Sequence, residues 1–587
     1  MRIAALVKQV PKFDAMELGP DGRMRREGIE LEMNPYCRRA VSKGVELAEA
    51  TGGTCVVITL GPPAAEDSLR EAIAWGADDG ILVTDPAFAG SDTLATARAL
   101  AAVLEREGPF DLVLSGRNSV DADTGQVGPE VAELLDLPFA GGVRELVVGE
   151  GGLRVRCEYD DGYGEAAIAL PAILSCAERL CEPCKVDPAG RAAVPADRIR
   201  SLSAADLGPG PWGQAGSPTR VGPVRVLEVK RGRRRLGGPV GEQVTAAVAL
   251  LAEWGALVDQ HHEGDAAPAL DLGRSLEGPT VAVVVEPDRE NVTRELLGAA
   301  AALSAEVNGH VTAISTGEAN ARLSAWGADT VVALDGAVVE EDVAAAVARW
   351  AADVQPWAVL VPGTMWGREV ASRAAARLGA GLTGDAVELE VGDGRLIAWK
   401  PAFGGALVAA ITAASPVQMA TVRPGVLHTP APRAALPVPE TRLTVTPRGR
   451  VTPLGYGRED DVEALAAAHR VVGVGTGVPP DEYAALEPLL VVLGAELGAT
   501  RKVTDKAWLP RARQVGITGH SIRPRLYVSV GASGKFNHAV GFRAAGTVLA
   551  INSNPEALIF DAADVGIVAD WRDAIPLLTD ALAAALG

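Results

Sequence analysis

The chain contains 587 residues, and at roughly 100 to 200 residues per domain this length predicts three to five domains. Hydrophobic residues (48%) and charged residues (22%) are balanced as in globular proteins, which excludes a disordered chain, and the net charge of −20 argues against binding to nucleic acid. Six cysteines are too few for a disulfide framework and no window of about 18 residues is wholly apolar, so we expect a cytoplasmic protein without a transmembrane segment.

Short apolar runs alternate with helical patterns in the N-terminal part of the chain. Runs of buried-strand length cover Arg2–Val7, Thr54–Leu60 and Gly80–Val83. Between them, apolar residues recur at helical spacing in Cys37–Ala50 and Ala64–Ala74. This alternation predicts a parallel sheet with helices on both faces, which binds ligands at the carboxyl ends of its strands.

Two landmarks of this first region return later in the chain. Trp75–Asp78 (WGAD) precedes a strand, and the same four residues recur at Trp326–Asp329 before another strand. In each copy the next strand ends in a small residue and a glycine, at Asp111–Gly116 and at Ala358–Gly363. Two landmarks at nearly the same offset predict a duplication, with two related doubly wound α/β domains.

Composition suggests where the domains end. The basic run Lys230–Arg235 is interpreted as a solvated strand end, with a docking patch as the alternative. Thr429–Pro453 contains six prolines, which predicts an extended connector. The predicted units are a first α/β domain with a C-terminal arm (1–255), a linker (256–278), a second α/β domain (279–428), the connector (429–468) and a third α/β domain (469–587).

The third domain opens on the strand Arg470–Val474, which a glycine-rich turn follows. Val478 stands where the dinucleotide fingerprint requires glycine, so an ordinary nicotinamide dehydrogenase is disfavoured. Further along, glycines alternate with single polar residues in Gln514–Gly519, Gly531–Gly534 and Asn537–His538. Glycines let backbone amides approach a phosphate and the polar side chains can donate to a heteroaromatic ring, so the pattern is typical of a flavin dinucleotide site.

These motifs resemble those of the electron transfer flavoproteins over nearly the whole chain. Motifs of the family's β subunit stand at Lys8–Pro11, Met33–Tyr36 and Asp121–Pro129, and motifs of its α subunit at Gln418–Gly425 and Ala563–Asp570. The resemblance implies that the two subunits are fused, β-type first. It also implies an α/β fold, in which two related doubly wound parallel-sheet domains are followed by a C-terminal α/β domain that binds FAD.

The resemblance assigns the FAD site to this third domain. Arg501 would lie against the isoalloxazine ring and raise its reduction potential, and Thr518 would donate near N5 and O4. His538 matches the family's histidine at the pyrimidine edge, where a donating imidazole would stabilise negative charge on the ring. The predicted set comprises Thr500, Arg501, Val515, Gly516, Ile517, Thr518, Ser533, Gly534, Lys535, Phe536, Asn537, His538, Asn552, Asp570 and Trp571.

A second nucleotide site is expected in the first domain, because three strand-end loops converge at the switch point of its sheet. The loop Asp121–Pro129 offers side-chain and backbone donors suited to a phosphate, and its two glycines permit close approach. The predicted set comprises Leu6, Lys8, Asn34, Pro35, Tyr36, Cys37, Leu60, Asp121, Asp123, Thr124, Gly125, Gln126, Val127 and Gly128.

The resemblance implies an electron carrier. FAD would accept electrons from flavin dehydrogenases of the acyl-CoA dehydrogenase type, as in fatty acid β-oxidation, and pass them to a membrane quinone oxidoreductase. An alternative is an electron-bifurcating flavoprotein that oxidises NADH at a second FAD. The loop Asp121–Pro129 resembles that of two-flavin members, whereas Met33–Cys37 resembles that of members with AMP, so the second nucleotide is either AMP or a second FAD.

The sequence says less about the partner protein and the oligomeric state than about the cofactor. Leu180–Lys185 departs from the family's partner-docking loop, so the identity of the dehydrogenase stays open. Cys176, Cys181 and Cys184 lie in this region, but a fourth ligand is missing nearby, and we expect ordinary thiols and no metal. Because both halves of the usual intersubunit interface lie on one chain, a monomer equivalent to the usual heterodimer is expected.

Overall fold

The chain folds into three α/β units, and the sheets of each unit include at least one strand from a segment outside that unit. The computed structural model describes residues 1–12, 30–160, 162–226, 231–258, 276–317, 320–402, 407–458, 464–465, 468–516 and 519–586. The predicted linker at 256–278 lies mostly outside these residues.

The first unit and its arm occupy residues 1–253. The strands of the unit are β1 (Arg2–Val7), β2 (Gln9–Pro11), β3 (Leu31–Met33), β4 (Thr54–Leu60), β5 (Asp79–Val83), β6 (Leu112–Gly116), β7 (Phe139–Gly149), β8 (Gly152–Glu158), β9 (Gly162–Ile168), β10 (Ala172–Cys176) and β11 (Ile199–Leu202). Its helices are α1 (Cys37–Thr51), α2 (Glu66–Trp75), α3 (Thr93–Glu107), α4 (Val127–Leu134), α5 (Pro188–Ala192), α6 (Ala204–Leu207) and α7 (Gly213–Gly216). The arm contains β12 (Thr219–Val226), β13 (Arg234–Leu236) and α8 (Val240–Glu253).

The second unit and the connector follow. The strands of the unit are β14 (Thr280–Val284), β15 (His310–Ser315), β16 (Thr330–Asp335), β17 (Ala358–Pro362), β18 (Gly381–Ala386), β19 (Glu388–Gly392), β20 (Arg395–Ala402), β21 (Leu407–Ala413) and β22 (Gln418–Val422). Its helices are α9 (Glu290–Glu306), α10 (Asn320–Ala325), α11 (Glu340–Val354) and α12 (Met365–Leu378). The connector contains β23 (Glu440–Thr444) and β24 (Val451–Arg458).

The third unit completes the chain. Its strands are β25 (Arg470–Val474), β26 (Glu496–Ala499), β27 (Leu526–Val530), β28 (Thr547–Asn552) and β29 (Val565–Val568). Its helices are α13 (Glu487–Leu493), α14 (Arg501–Asp505), α15 (Phe536–Ala539) and α16 (Trp571–Leu586). The strand order β29-β28-β27-β25-β26 is parallel throughout.

The first two units have the same sheet topology, which confirms the predicted fold class and duplication. In the first, the parallel strands follow the order β11-β5-β4-β1-β6-β10-β7. In the second, the order β23-β16-β15-β14-β17-β22-β18 traces the same path with every pair parallel. The switch point of the first sheet lies between β1 and β6, since the chain fills one side of β1 before crossing to the other.

The repeated WGAD motif makes the same turn in both units. Gly76 and Gly327 adopt φ values of 136° and 128°, which a residue with a side chain rarely adopts. The aspartate that follows each glycine accepts a hydrogen bond from the amide of a neighbouring strand, at 2.7 Å from Cys55 and at 2.9 Å from Val311. The motif is therefore structural, and it ties each helix end to the start of the adjacent strand.

Helices in equivalent positions of the two units, α4 and α12, pack against each other. Arg373 on α12 is fully buried in this contact. Its Nη1 lies 3.2 Å from the Glu133 carboxylate on α4, and its Nε lies 3.1 Å from the Glu369 carboxylate. The guanidinium group thus joins the two units across their interface.

The arm leaves the first unit and joins the other two. Strand β12 pairs antiparallel with β21, β13 pairs parallel with β29, and α8 packs against α16. The basic run is not a solvated strand end at Arg231, whose side chain is 7% exposed and lies 2.8 Å from the Asp564 carboxylate. The carboxylate that pairs with Arg231 lies more than three hundred residues away in the sequence. The local run of basic residues therefore could not show that this side chain is buried.

Both strands of the connector are paired with strands of other units. Strand β23 adds to β16 in the second sheet, and β24 adds antiparallel to β9 in the first. Proline is tolerated in β24 because the strand lies at a sheet edge and its register shifts between Pro453 and Gly455. The side chain of Arg433 donates to the carbonyls of Ser324 and Ala328, both at 2.7 Å, and holds the start of the connector.

Substituting Arg373 by Met should destabilise the interface of the two units. Loss of one partner of a buried ion pair typically costs about 3 kcal/mol or more in free energy of unfolding. Burial raises the pKa of Glu369 to about 8 even beside Arg373, so in the variant this carboxyl can stay protonated near neutral pH. Urea denaturation should therefore show a larger loss at pH 9 than at pH 7.

The matched control for this experiment is Arg442→Met on β23. The Arg442 side chain is 64% exposed, so its loss should change stability little at either pH. Equal losses for the two variants would contradict the assigned role of Arg373.

Candidate flavin and nucleotide sites

Polar residues predicted to bind FAD gather at one edge of the third sheet. Thr500 follows β26, Ser533 follows β27, Asn552 ends β28 and Asp570 follows β29. The strands are parallel, so their carboxyl ends meet at the same edge. The structure therefore brings together residues that are far apart in the sequence.

Close backbone packing shapes this edge. A Cβ atom on Gly534, at φ 73°, would clash with the backbone of Ile559, and one on Gly475 would clash with the Gly531 carbonyl. The glycines of the first turn thus serve the packing of one loop on another. This role explains why they are present although the dinucleotide fingerprint fails at Val478.

Arg501 begins α14 and points away from its own unit. Its Nε lies 3.3 Å from the Asp505 carboxylate, and its Nη2 lies 3.8 Å from the carboxylate of Glu178 in the first unit. The side chain keeps 35% of its surface exposed. Burial opposes the charge of Arg501, but the nearby Tyr36, Glu178 and Asp505 hold its pKa above the usual value.

His538 is buried, and both nitrogens of its ring are engaged. Nδ1 lies 2.9 Å from the Val515 carbonyl, which can only accept, so Nδ1 carries the proton. Nε2 then accepts from the Tyr527 hydroxyl at 3.1 Å. Burial lowers the pKa of His538 to about 4, against the effect of the Val515 carbonyl. The ring is neutral near pH 7, and donating to a ligand requires it to give up a present bond.

The other predicted FAD residues divide into three groups. Asn552 donates to the Ala532 carbonyl at 2.9 Å, and the buried Trp571 donates to the Gly477 carbonyl at 3.1 Å, so both hold loops of the edge. Lys535 is exposed. Ile517 and Thr518 lie outside the described residues, and so do the side chains of Phe536 and Asn537.

The geometry of the edge fits a flavin dinucleotide. Backbone amides at the strand ends can receive phosphates, the side chains of Thr500 and Ser533 can donate, and Arg501 supplies a cation. These are the donor types that the group requires at its phosphates and at its ring.

The second predicted site lies at the switch point between β1 and β6. Lys8, one residue beyond β1, places Nζ 2.7 Å from the carboxylate of Asp121 in the loop after β6. Burial alone would raise the pKa of Asp121, but the Lys8 ammonium holds it below its usual value. This ion pair joins two of the three loops that were predicted to converge.

Asn34 joins the third loop to the same point. Its Nδ2 donates to the Asn118 carbonyl at 2.7 Å, and its Oδ1 accepts from the Val120 amide at 3.2 Å. Asn118 in turn donates to the Asp123 carboxylate at 2.6 Å. The convergence of the three loops is therefore present in the structure.

Some residues of the second predicted set face the protein interior. The side chain of Leu6 packs in the core, and that of Leu60 packs against it, so each can offer a ligand little more than backbone. Gln126 is 1% exposed and accepts from the Thr93 hydroxyl at 2.8 Å. Gly384 of the second unit lies directly against Thr124 and Gln126. The loop is thus clamped between two units.

Ion pairs that no sequence pattern indicated connect the two sites. Arg511 of the third unit places Nη1 3.0 Å from the Glu158 carboxylate and 3.3 Å from the Glu178 carboxylate, both in the first unit. Burial opposes the ionised form of Glu178, yet Arg511 and neighbouring arginines hold its pKa well below the usual value. Arg511 stands just before the Gln514–Gly519 motif, but partners more than three hundred residues away leave no local signal.

Comparison with known proteins identifies the family to which the chain belongs. The family model described as the electron transfer flavoprotein domain matches twice, over residues 22–199 and 269–447. The model described as the electron transfer flavoprotein FAD-binding domain matches residues 464–543. The chain belongs to the electron transfer flavoprotein family. The double match also confirms the internal duplication.

Individual relatives show that this flavoprotein is a β–α fusion. The N-terminal half is 36% identical over 255 residues to the electron transfer flavoprotein subunit beta of Thermoanaerobacterium thermosaccharolyticum, covering 43% of this chain and 98% of the relative. The C-terminal half is 35% identical over 309 residues to the subunit alpha of the same organism, covering 49% and 92%. The caffeyl-CoA reductase-Etf complex subunit CarD of Acetobacterium woodii is 35% identical over 225 residues, covering 38% and 86%.

Two further findings concern membranes and metals. In the described ranges, no helix combines the length and the apolar character needed to cross a membrane. The same ranges contain no group of three or more His, Cys, Asp or Glu side chains arranged to hold a metal ion. All six cysteines are free thiols, and burial raises the pKa of Cys184 to about 12.

The protonation of His538 gives a testable pH dependence. The pKa of the ring is about 4 in the folded flavoprotein and about 6.5 in an unfolded chain, so the unfolded chain binds the proton first. Stability that is complete above pH 6.5 should therefore be lost as the pH falls toward 4, by at most about 1.4 kcal/mol per pH unit.

Thermal unfolding between pH 4.5 and 8 should show a shallower pH dependence for His538→Gln than for the parent protein. The exposed His428 provides the matched control, since His428→Gln should retain the parent slope. An unchanged slope in His538→Gln would show that the ring has the same pKa in the folded and the unfolded protein, and would contradict the lowered pKa.

Proposed function

We propose that this chain carries electrons between protein partners, with FAD at the edge of the third sheet and an adenine nucleotide at the switch point of the first. One contact between the two candidate sites supports this proposal most directly. Arg501 of the FAD site lies 3.8 Å from Glu178, and the charges of both act on Tyr36 of the nucleotide site, whose pKa burial has already raised. The two candidate sites thus face each other across one boundary.

Arg501 is the group that would set the electrostatics of the bound flavin. FAD supplies the redox chemistry when bound, and a fixed cation in a water-poor site stabilises negative charge that develops beside it. Glu178 partly neutralises this cation while the third unit is docked on the first. Moving the third unit away would remove Glu178 and leave the full charge of Arg501 acting on the FAD site.

The proposed donors are flavin dehydrogenases of the acyl-CoA dehydrogenase type, in fatty acid β-oxidation, and the proposed acceptor is a membrane quinone oxidoreductase. Family membership supports this class of partner, and the loop Leu180–Lys185 would contact it. Glu182 and Lys185 are exposed there, whereas Cys184 is buried and Cys181 contacts the Arg39 carbonyl at 3.5 Å. The surface offered to a partner is therefore charged.

A second candidate function is electron bifurcation, with NADH oxidised at a second FAD. The facing positions of the two candidate sites favour it, because two flavins could exchange electrons directly across the Arg501–Glu178 boundary. The Asp121–Pro129 loop gives a slight preference for FAD over AMP as the second nucleotide. One similar protein is by its name a subunit of a caffeyl-CoA reductase-Etf complex.

We also propose that the flavoprotein acts as a monomer in the cytoplasm. The contact of α4 with α12, which joins a β-type and an α-type unit, is made within one chain. The exchange of arm and connector strands between units adds to this contact. A covalent link makes such an association intramolecular, so no second chain is required to complete it.

Counting the nucleotides released on denaturation distinguishes the two candidate functions. Two FAD per chain and no AMP should be found if the second site holds a flavin, as bifurcation requires. One FAD and one AMP would support the simple carrier. A single FAD with no second nucleotide would contradict the assignment of the Lys8–Asp121 site.

Substitution of Arg501 by Ala should lower the reduction potential of the flavin and weaken FAD binding by about tenfold, the scale of one charge-assisted hydrogen bond. Glu178→Gln provides the matched variant, and it should raise the potential because it removes the opposing charge. Potentials are measured by spectroscopic titration of the purified flavoprotein. An unchanged potential in Arg501→Ala would remove this residue from the flavin site.

A further inference from the structure

A cleft where the three units meet is lined by arginines that neither nucleotide site uses. It encloses an empty volume of about 630 Å³ including its mouth. The five arginines that line it are Arg117, Arg289, Arg368, Arg423 and Arg511. The first comes from the first unit, the next three from the second unit, and the last from the third, so the cleft exists only while all three units are together.

The acidic side chains of the cleft are already engaged. Asp385 receives Nε of Arg423 at 3.0 Å, and Nη2 of Arg368 lies 3.5 Å from the same carboxylate. Asp160 accepts from the Met365 amide at 2.9 Å, at the start of α12. Arg511 is paired outside the lining with Glu158 and Glu178, so the surplus of positive charge in the cleft is centred on Arg117.

Arg117 is the group that points to a ligand. Its side chain is only 8% exposed, and its Nε and Nη1 are buried without a hydrogen-bond partner among the described residues. The Glu158 oxygen 3.6 Å from Nη1 already accepts from Arg511 at 3.0 Å. Burial and then repulsion by Arg511 lower the pKa of Arg117, against the opposite effect of Glu178, Glu158 and Asp160. Buried donors of this kind are normally satisfied.

We propose that this cleft binds a phosphoryl group, which bridges the three units and holds the third unit docked on the first two. Planar guanidinium groups present paired donors that match the oxygens of a phosphate, and its double negative charge suits several converging arginines. The five arginines belong to neither predicted set of nucleotide-binding residues, although Gly519 of the FAD motif also lines the cleft.

Two sources can supply the phosphoryl group. Arg117 lies four residues before the Asp121–Pro129 loop, and Gly125 of that loop lies beside the Arg117 carbonyl and the Arg368 side chain. A phosphate of the second nucleotide is therefore one source. Inorganic phosphate from solution is the other source. Both have the same chemistry at Arg117, and loading the second nucleotide site distinguishes them.

The test uses the full-length flavoprotein at constant ionic strength, with chloride replaced by inorganic phosphate. Phosphate should raise the thermal unfolding temperature, and the half-saturating concentration should increase on the order of tenfold in Arg117→Gln. Arg368→Gln, at a more accessible position of the same cleft, should show the same direction if Arg117→Gln does not fold. Arg442→Gln on β23, outside the cleft, should behave as the parent protein.

The titration is repeated after the protein has been saturated with AMP. If AMP abolishes the phosphate effect and itself binds about tenfold more weakly to Arg117→Gln, the nucleotide supplies the phosphoryl group. If the two effects are independent, free phosphate does. The proposal is overturned if neither phosphate nor AMP binding changes in Arg117→Gln and Arg368→Gln. Measuring FAD content in every sample keeps a failure of the flavin assignment separate from a failure of this site.

Discussion

The packing of α4 on α12 is the constraint on which both candidate sites depend. Each helix follows the strand that crosses the switch point of its own sheet, so each begins at the ligand-binding edge. Arg373 joins the two helices, and the loop before α4 lies against α12 where Gly125 meets the Arg368 side chain. Gln126 is then held by the second unit, and Arg368 reaches the common cleft. A core interaction thereby sets the geometry of loops some distance from it.

Charge complementarity positions the third unit on the first unit. Arg501 and Arg511 on one side meet Glu158 and Glu178 on the other, in surroundings where burial strengthens each attraction. The strands of the arm and the connector act differently, because they contribute backbone hydrogen bonds and do not depend on salt. The contacts between units are thus of two kinds. Strand pairing is insensitive to salt, whereas the ion pairs weaken at high ionic strength and respond to a charged ligand bound beside them.

Local pattern was enough to predict the parallel sheets, the duplication and the convergence of the loops at the candidate sites. These features follow from apolar runs, glycines at turns and single polar residues at strand ends. The exchange of β12, β13 and β24 between sheets could not be predicted, because pairing partners leave no periodic trace in either segment. Arg511 and Arg117 were missed for the same reason. Their importance arises from carboxylates and cations that only the folded chain brings near them.

The pairing of the arm with the third unit has a consequence for synthesis. Arg231 and its partner Asp564 are separated by 333 residues, and β13 and α8 pack on elements at the far end of the chain. A ribosome adding about 5 to 20 residues per second needs roughly 17 to 67 s to make that intervening stretch. Throughout this time the apolar face of α8 lacks its partners in the third unit, so β29 and α16 must be made before the arm can fold. The fused order of the halves therefore makes folding of the arm wait for synthesis of the third unit.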